Sequence, residues 1–571
     1  MAENFRRARR EAGLLLGLTA FVGCAGSGAP ARTVAATPEV AGTLTGAATA
    51  SAPTTTTPAA PATAAAAPAT TAWSGASTAP ELEADRVAGK SWPLPERHEA
   101  LATGRAVIAH HQCTRCHDID GLPSAGRPFD CVKCHTFLDA LVPGDPRYEK
   151  IAAEHGKDVI DRYIRNIVHL LRVPNLTAIA RRVRPDWIAG FLAEPYDVRP
   201  LLDESMIRHN LAPEDIRAVV RYFAAVADAP DPYAPGFAPP PRPPSPDAAR
   251  LALGKERFAL LGCPSCHVLG NVDFGTGVDA DFLATMKADA LLAPNLRFVP
   301  ERVRPDVLVD WIVDPAAVMP GTPMPKMAVT RDDAELVRDY LLFADAGKLP
   351  PPPADKPLMR LPAPVKRAVA YEEMKERVLG KVCVHCHMNE HEKDTGPGNR
   401  GGFGYPGKGL SFRTYERAMY GAEEKDGTRY SVFVPRKGEK LPRVLDVLLR
   451  RRVENRRDHV GPFADHARPH YATDALLGMP MGLPAMSDEE IGILRKWIEE
   501  GCPGPTRVSG KPGFTDGFLV PDGPVPLNKG CELRKPTDEP LPWRSAPPYL
   551  PVHMPGGTAA PAAAPAPAAA R

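Results

Sequence analysis

The feature that most constrains this chain is a Cys-x-x-Cys-His motif that occurs four times. The copies begin at Cys113, Cys131, Cys263 and Cys383. With 11 cysteines and 16 histidines in 571 residues, random placement would produce only about 0.006 copies in the whole chain. Four copies are therefore not accidental. Each must fold so that two thiols and one imidazole serve a common purpose.

The spacing of the motif is that of covalent attachment to a c-type haem. Two thiols on one helical turn reach both vinyl groups of a porphyrin, and the adjacent histidine becomes the proximal iron ligand. We therefore predict four covalently bound haem c groups. The predicted attachment residues are Cys113, Cys116, Cys131, Cys134, Cys263, Cys266, Cys383 and Cys386, and the predicted proximal ligands are His117, His135, His267 and His387.

Two other uses of paired cysteines are less consistent with the sequence. Cys-x-x-Cys is also a zinc half-site, but zinc does not require a histidine directly after the second cysteine every time. A disulfide framework is disfavoured because eight of the 11 cysteines lie in pairs separated by only two residues. The haem interpretation explains all three positions of the motif.

The N-terminus resembles an export signal. Arginines between residues 6 and 10 precede an apolar stretch, 12–23, that ends at Cys24. This stretch is too short to cross a bilayer as a helix, which indicates a removable signal over 1–24. Residues 21–24 (FVGC) resemble a bacterial lipobox, in which lipidation of Cys24 would anchor the mature protein to a membrane. Ordinary signal cleavage is the alternative. Both place the protein in the periplasm or cell envelope.

Composition divides the rest of the chain into three folded units. Residues 25–80 are nearly all Ala, Thr, Pro, Gly and Ser and cannot bury a core, so we predict a disordered tether over 25–92. Proline-rich stretches indicate extended linkers at 231–247 and 348–365, and an Ala/Pro-rich tail occupies 506–571. The predicted domains are 93–230, 248–347 and 366–505.

The first two domains share a repeat. Residues 173–195 match residues 293–315 at nine of 23 positions with a constant offset of 120, which indicates duplication. Each copy opens with Pro-Asn-Leu and continues after Arg-Pro-Asp as a short amphipathic helix. We predict closing helices over 214–226 and 332–343.

These elements resemble class I cytochromes c, in which a helix leads into Cys-x-x-Cys-His and is followed by a Pro-Asn-Leu loop, a methionine loop and a closing helix. The resemblance implies a mainly α fold of three class I cytochrome c-like domains. Residues 320–325 (PGTPMP) resemble the family's methionine loop, which implies Met324 as the distal ligand of the haem at His267. Packing is the alternative role for Met319 and Met327, which flank it.

The first domain carries an insertion. His117 lies 57 residues before Pro174, whereas His267 lies only 27 before Pro294. The second motif falls in the added stretch, which indicates a one-haem domain that gained a second haem. Met206 is the expected distal ligand at His117, with His209 as competitor. For the haem at His135 the expected ligand is His169, on a helix predicted over 157–171; the alternatives are His155, His110, His111 and an open site.

The third domain resembles the planctomycete-type cytochrome c domain. It shares Met-Pro at 479–480, Ser-Asp-Glu-Glu at 487–490 and Trp-Ile-x-x-Gly at 497–501. The resemblance implies Met479 as distal ligand of the haem at His387, and Met481, Met486 and His470 remain alternatives. Ser487 and Glu490 predict a capping box. The basic run 450–457 is either a solvated helix face or a docking patch for an acidic partner.

The two cysteines left over in the third domain and its tail, Cys502 and Cys531, are predicted to form a disulfide, since the compartment is oxidising. The formal net charge of +2 excludes a strongly basic nucleic-acid binder. We expect an exported, membrane-tethered tetrahaem cytochrome that carries electrons between redox partner proteins. The alternatives are a haem redox enzyme with one open-coordination iron, for which His135 marks the site, and a haem-bearing subunit of a respiratory complex.

Overall fold

The computed structural model describes residues 91–127, 130–167, 169–202, 204–209, 211–275, 291–348, 355–387, 410–412, 415–424, 428–460, 477–504 and 531. The predicted export signal with Cys24, nearly all of the tether, the tail apart from Cys531, and His470 lie outside these residues. The described part is mainly helical, as expected. None of its helices combines the length and apolar character that crossing a membrane requires.

The first domain is built on two crossing helices, α1 (Leu94–His110) and α7 (Pro213–Val226). They approach closely because residue 104 is glycine: a Cβ there would lie 2.3 Å from Cβ of Tyr222. The helices between them are α2 (Cys131–Asp139), α3 (Pro146–His155), α4 (Lys157–Asn166), α5 (Ile179–Arg182) and α6 (Pro185–Ala193). The core includes Trp92, Ile108, Val220 and Tyr222.

The second domain repeats this crossing. Its first helix, α8 (Ala248–Leu260), packs against its last, α12 (Arg331–Phe343), and a Cβ at Gly254 would lie 2.4 Å from the carbonyl oxygen of Leu336. Between them are α9 (Val299–Arg302), α10 (Leu308–Val313) and α11 (Pro315–Val318). Proline-rich residues 231–247 contain no helix and connect α7 to α8. The shared crossing supports the duplication inferred from the repeat.

The inserted stretch has a small core of its own. Helices α2, α3 and α4 enclose Cys134, Leu138, Tyr148 and Ile160. The helix predicted over 157–171 is too long, because α4 ends at Asn166. Beyond it the backbone turns, with Leu170 at a φ of 55°, so that His169 and Leu170 make hydrogen bonds outside any helix.

The third domain surrounds a buried aromatic cluster that includes Tyr371, Tyr415, Phe433 and Trp497. Its helices are α13 (Asp355–Leu358), α14 (Tyr371–Met374), a π-helix (Lys375–Cys383), α15 (Val384–Cys386), α16 (Tyr415–Tyr420), α17 (Arg443–Val460) and α18 (Asp488–Glu499). Strands β1 (Ala422–Glu423) and β2 (Arg429–Tyr430) pair antiparallel, with Ala422 opposite Tyr430.

Two local features of this domain agree with the sequence. Ser487 caps α18, and its side chain and that of Glu490 form the reciprocal capping box. Cys502 and Cys531 are joined by a disulfide bond. The hydroxyl of Tyr415 donates to the carbonyl oxygen of Cys502 at 2.6 Å, which ties the end of the domain to its aromatic core.

We predict that Gly254→Ala destabilises the protein by about 1–3 kcal/mol, because the added methyl group forces α8 away from α12. The loss should appear although alanine is the better helix former. Leu253→Ala is the matched control, since Leu253 is an exposed neighbour on the same helix and surface changes usually have small effects. Guanidinium unfolding midpoints measure the difference. An unchanged midpoint for Gly254→Ala would show that the crossing tolerates a side chain.

Candidate functional site

Three of the four motif histidines make the same type of hydrogen bond. In three motifs the imidazole Nδ1 lies against a main-chain carbonyl oxygen. The distances are 2.8 Å from His117 to Pro174, 2.9 Å from His267 to Pro294 and 2.7 Å from His135 to His169. A carbonyl oxygen only accepts, so Nδ1 must carry the hydrogen. The free lone pair then lies on Nε2, which is the arrangement of a histidine that ligates a metal.

Burial keeps these imidazoles neutral. It is the main cause that lowers the pKa of His117, His135 and His267 below the usual value. Burial lowers the pKa of His387 to about 4, against the opposing influence of the Leu410 carbonyl. The neutral form is the one that binds a metal.

Three different local structures present the motifs. The first and third are single 3₁₀ turns, Cys113–Arg115 and Cys263–Ser265, placed directly after α1 and α8. Each turn follows a residue in the left-handed region, Gln112 or Gly262. The second motif is the first turn of α2, whose cap Asp130 accepts from the backbone N–H of Lys133 at 2.8 Å. The fourth motif begins at Cys383, the last residue of the π-helix, and continues through α15.

A largely apolar cavity opens beside His117. Its wall includes the two thiols of the first motif and both candidate distal ligands, Met206 and His209. Burial lowers the pKa of His209 to about 4, and the nearby charges of His111 and His117 act in the same direction. A flat apolar group held by two thiols and one imidazole fits this slot, so the residues present match a haem.

The candidate ligand of the second domain is held by a hydrogen bond. Trp311 Nε1 donates to the sulfur of Met324 at 3.1 Å. Met319 is buried, which suits the packing role proposed for it. Met327 is partly exposed.

His169, the predicted distal ligand of the haem at His135, contacts this site through its backbone. The backbone carbonyl of His169 is the acceptor for His135, and its imidazole Nδ1 lies 3.4 Å from the carboxylate of Glu204. Leu170 N–H donates to the same carboxylate at 3.0 Å. This geometry favours a position on the proximal side of the site over the distal ligand role.

The alternative candidates for the ligand of the haem at His135 are three other histidines. The Nε2 of His111 lies 3.5 Å from a carboxylate oxygen of Asp215 on α7. The ring of His110 packs edge-on against the ring of His111, with their centroids 4.8 Å apart. Both therefore belong to the end of α1, next to the first motif. The side chain of His155 lies outside the described residues.

The three methionines considered as distal ligands in the third domain have different surroundings. Met486 is buried in the aromatic core, which favours packing. Met481 faces Met206 of the first domain across a small cavity. Met479 is positioned by a bond from its own N–H to the carbonyl of Val447 at 2.9 Å.

Three arginines at the start of the basic run, whose side chains the structure describes, are paired within the protein. Arg450 contacts Asp446 at 2.9 Å, Arg451 contacts Glu454 at 3.7 Å, and Arg452 contacts Asp488. These pairs favour a structural role for that helix face over a docking patch.

The motifs lie close to one another. The thiols of Cys116 and Cys131 are close enough to shift each other's pKa, raising that of Cys116 and lowering that of Cys131, and Cys386 is near enough to Cys131 for their charges to interact. His385, inside the fourth motif, packs edge-on against Tyr163 of α4 with ring centroids 5.9 Å apart. The first, second and fourth motifs are therefore neighbours.

Sequence reasoning missed three arginines of the site. Arg182, Arg199 and Arg302 all line the cavity beside His117. Arg302 comes from the second domain, so this cavity is formed by both repeats. A signal was present, since Arg182 and Arg302 occupy equivalent places in the repeat, 120 residues apart.

In the described part of the chain, no cluster of three or more His, Cys, Asp or Glu side chains is arranged to hold a metal ion. A porphyrin supplies four of the iron's ligands, so a haem site needs only one or two from the protein.

No family model matches this chain, and comparisons with curated proteins and with solved structures gave no match either.

We predict that His209 makes the protein acid-sensitive. Its folded pKa is about 4 and its ordinary value is 6.5, so the unfolded chain takes up a proton that the folded chain does not. Stability therefore falls as the pH drops through this window, by roughly 1–2 kcal/mol between pH 7 and pH 5. His209→Gln should remove that loss in chemical unfolding at the two pH values, and His98→Gln, at an exposed position, should keep it. Equal acid sensitivity in both variants would contradict the buried, neutral state of His209.

Proposed function

We propose that this protein is a tetrahaem c-type cytochrome that carries electrons between redox partner proteins. The observation that carries the proposal is the Nδ1–carbonyl hydrogen bond of the motif histidines. Three motifs, two in 3₁₀ turns and one in an α-helix, leave the free lone pair on Nε2 of a histidine that directly follows a pair of thiols. A porphyrin held through thioether bonds is the group that uses all three side chains at once.

The residues of each site have separate roles in this proposal. The paired cysteines hold the haem covalently, and the following histidine ligates its iron. Met206, Met324 and Met479 are the proposed distal ligands; a thioether opposite histidine raises the potential. When bound, haem supplies reversible one-electron chemistry. The apolar walls, such as that beside His117, exclude water and set the local dielectric.

The closeness of the motifs supports electron transfer along the chain. The thiols of the fourth and second motifs, and those of the second and first, are near enough to influence one another, as described for Cys386, Cys131 and Cys116. Arg302 of the second domain lines the cavity beside His117, so we place the third motif next to the first. The proposed order of sites is therefore His267, His117, His135, His387, a continuous path for single electrons.

We place this relay outside the cytoplasm. The arginine-rich, apolar N-terminus supports export, and Cys24 is the proposed lipid attachment site. Residues 25–92 would then connect the membrane to the folded domains. A membrane-tethered carrier of this kind would meet its electron donor and acceptor in the periplasm or cell envelope.

Haem attachment can be tested by counting haems per chain. We predict four in the mature protein and three in Cys263→Ala/Cys266→Ala, because both thioether bonds of one site are lost. Cys502→Ala/Cys531→Ala is the matched control and should keep four, since these cysteines form a disulfide. The pyridine haemochrome spectrum of purified protein, divided by polypeptide concentration, gives the count. A mature chain without haem, or an unchanged count in the motif variant, would refute the proposal.

A haem redox enzyme is the second candidate, and the position of His169 is the observation that favours it. With its carbonyl on His135 and its imidazole facing Glu204, His169 is poorly placed to close the second site. An iron open on one side would bind small molecules. Carbon monoxide added to the reduced protein separates the two cases: an unshifted spectrum supports a pure electron carrier, and a shift corresponding to one haem supports the enzyme.

A further inference from the structure

Among the described residues, three arginines around the cavity beside His117 form no ion pair with a carboxylate. The Nε atoms of Arg182, Arg199 and Arg302 are buried and have no hydrogen-bond partner among the described residues. Arg182 donates from its terminal nitrogen to the carbonyl of Asn175 at 3.1 Å. Burial lowers the pKa of these guanidinium groups to about 10, 9 and 10, and the mutual repulsion of the charges lowers those of Arg182 and Arg199 further.

The arginines lie where the two repeats meet. Val183 and Val303 form an isolated antiparallel bridge, flanked by bonds from Arg184 N–H to the carbonyl of Arg302 at 2.9 Å and from Arg304 N–H to that of Arg182 at 3.0 Å. The pattern is reciprocal, so the equivalent segments of the two domains pair about a local two-fold axis.

The side chains follow the same reciprocity. Arg182 lies over the ring of Trp311 at 5.5 Å, and Arg302 lies over the ring of Trp187 at 5.3 Å. Each arginine therefore crosses to the other domain. The guanidinium groups of both repeats are collected at one place between the sites of His117 and His267.

The neighbouring arginines differ from these three because they have carboxylate partners. Arg184 and Arg304 each have their own carboxylate, Asp186 at 2.9 Å and Asp306 at 2.7 Å. In the described part of the chain the three arginines at the cavity have no such ion pair; the charges of Asp120 and Asp197 only partly oppose the lowered pKa of Arg182 and Arg199. Clustered like charges that are partly removed from water favour a counter-ion, because their desolvation is otherwise poorly compensated.

The occupant can be identified by its charge and its position. A haem carries two carboxylates on one edge, and the cavity that the arginines line also contains the thiols of the first motif. Arg302 belongs to the second domain and follows by eight residues Pro294, whose carbonyl oxygen lies 2.9 Å from Nδ1 of His267. Arginine binds carboxylates through paired hydrogen bonds, which suits this role.

We propose that Arg182, Arg199 and Arg302 form a shared anion pocket that binds the propionate groups of the haems attached at Cys113/Cys116 and Cys263/Cys266. This rests on the proposed haem binding. The arginines would hold the propionates of both haems next to the Val183–Val303 bridge. Haems bound there would supply one-electron exchange between the two sites, with no bond made or broken. The positive charges stabilise the reduced form of both.

The test is a spectroelectrochemical titration that resolves the four potentials. In Arg302→Gln two potentials should fall, because a positive charge that favours the ferrous state is lost from both sites. In Arg199→Gln the potential of the haem at His117 should fall most, since Arg199 lines the cavity beside that histidine. Arg302→Lys keeps the charge and should restore most of the change.

The matched control is Arg304→Gln, which removes an arginine from the same interface that already has a carboxylate partner. It should leave all four potentials in place. The proposal is overturned if Arg302→Gln and Arg199→Gln both leave the potentials unchanged, or if Arg304→Gln shifts the same two. Haem content is measured in each sample. Four haems with unshifted potentials refute the pocket alone, whereas a wild-type chain without haem refutes the proposed function.

Discussion

In three of the four motifs, the hydrogen bond between the imidazole and a main-chain carbonyl is the interaction on which the site depends. It fixes which nitrogen carries the hydrogen, and so which nitrogen keeps a free lone pair. Pro174 and Pro294 provide the carbonyl at equivalent points of the repeat, whereas His169 provides it for the inserted motif. The fold thus reaches one chemical arrangement through loops of different sequence, which is what a common cofactor would require.

Duplication explains how the first two domains are built and how they meet. Gly104 and Gly254 allow the same helix crossing in both domains, and the Arg-Val-Arg segments of the repeats pair with each other at the interface. In a two-fold arrangement the same surface of each repeat meets at the interface, so equivalent charged residues of the two repeats come close together. The guanidinium cluster at the interface contains Arg182 and Arg302, which this symmetry relates. The proposed propionate groups would supply the counter-charge that it lacks.

Much of this arrangement could be predicted from sequence, for identifiable reasons. The motif spacing, the repeat and the capping box at Ser487 are local signals, and the closing helices α7 and α12 begin within one residue of their expected positions. The end of α4 was not predictable by periodicity, because the turn at Leu170 is set by contacts with His135 and Glu204, which are distant in sequence. The clustering of Arg182, Arg199 and Arg302 depends on tertiary pairing, although the repeat already placed two of them at equivalent positions.

The central claim is that all four motifs carry covalently bound porphyrin. The most direct measurement is the intact mass of the mature protein under denaturing conditions, in which non-covalent groups are lost. The account predicts the mass of the processed polypeptide plus four haem groups, with none released by denaturation. A mass equal to that of the bare polypeptide would contradict it.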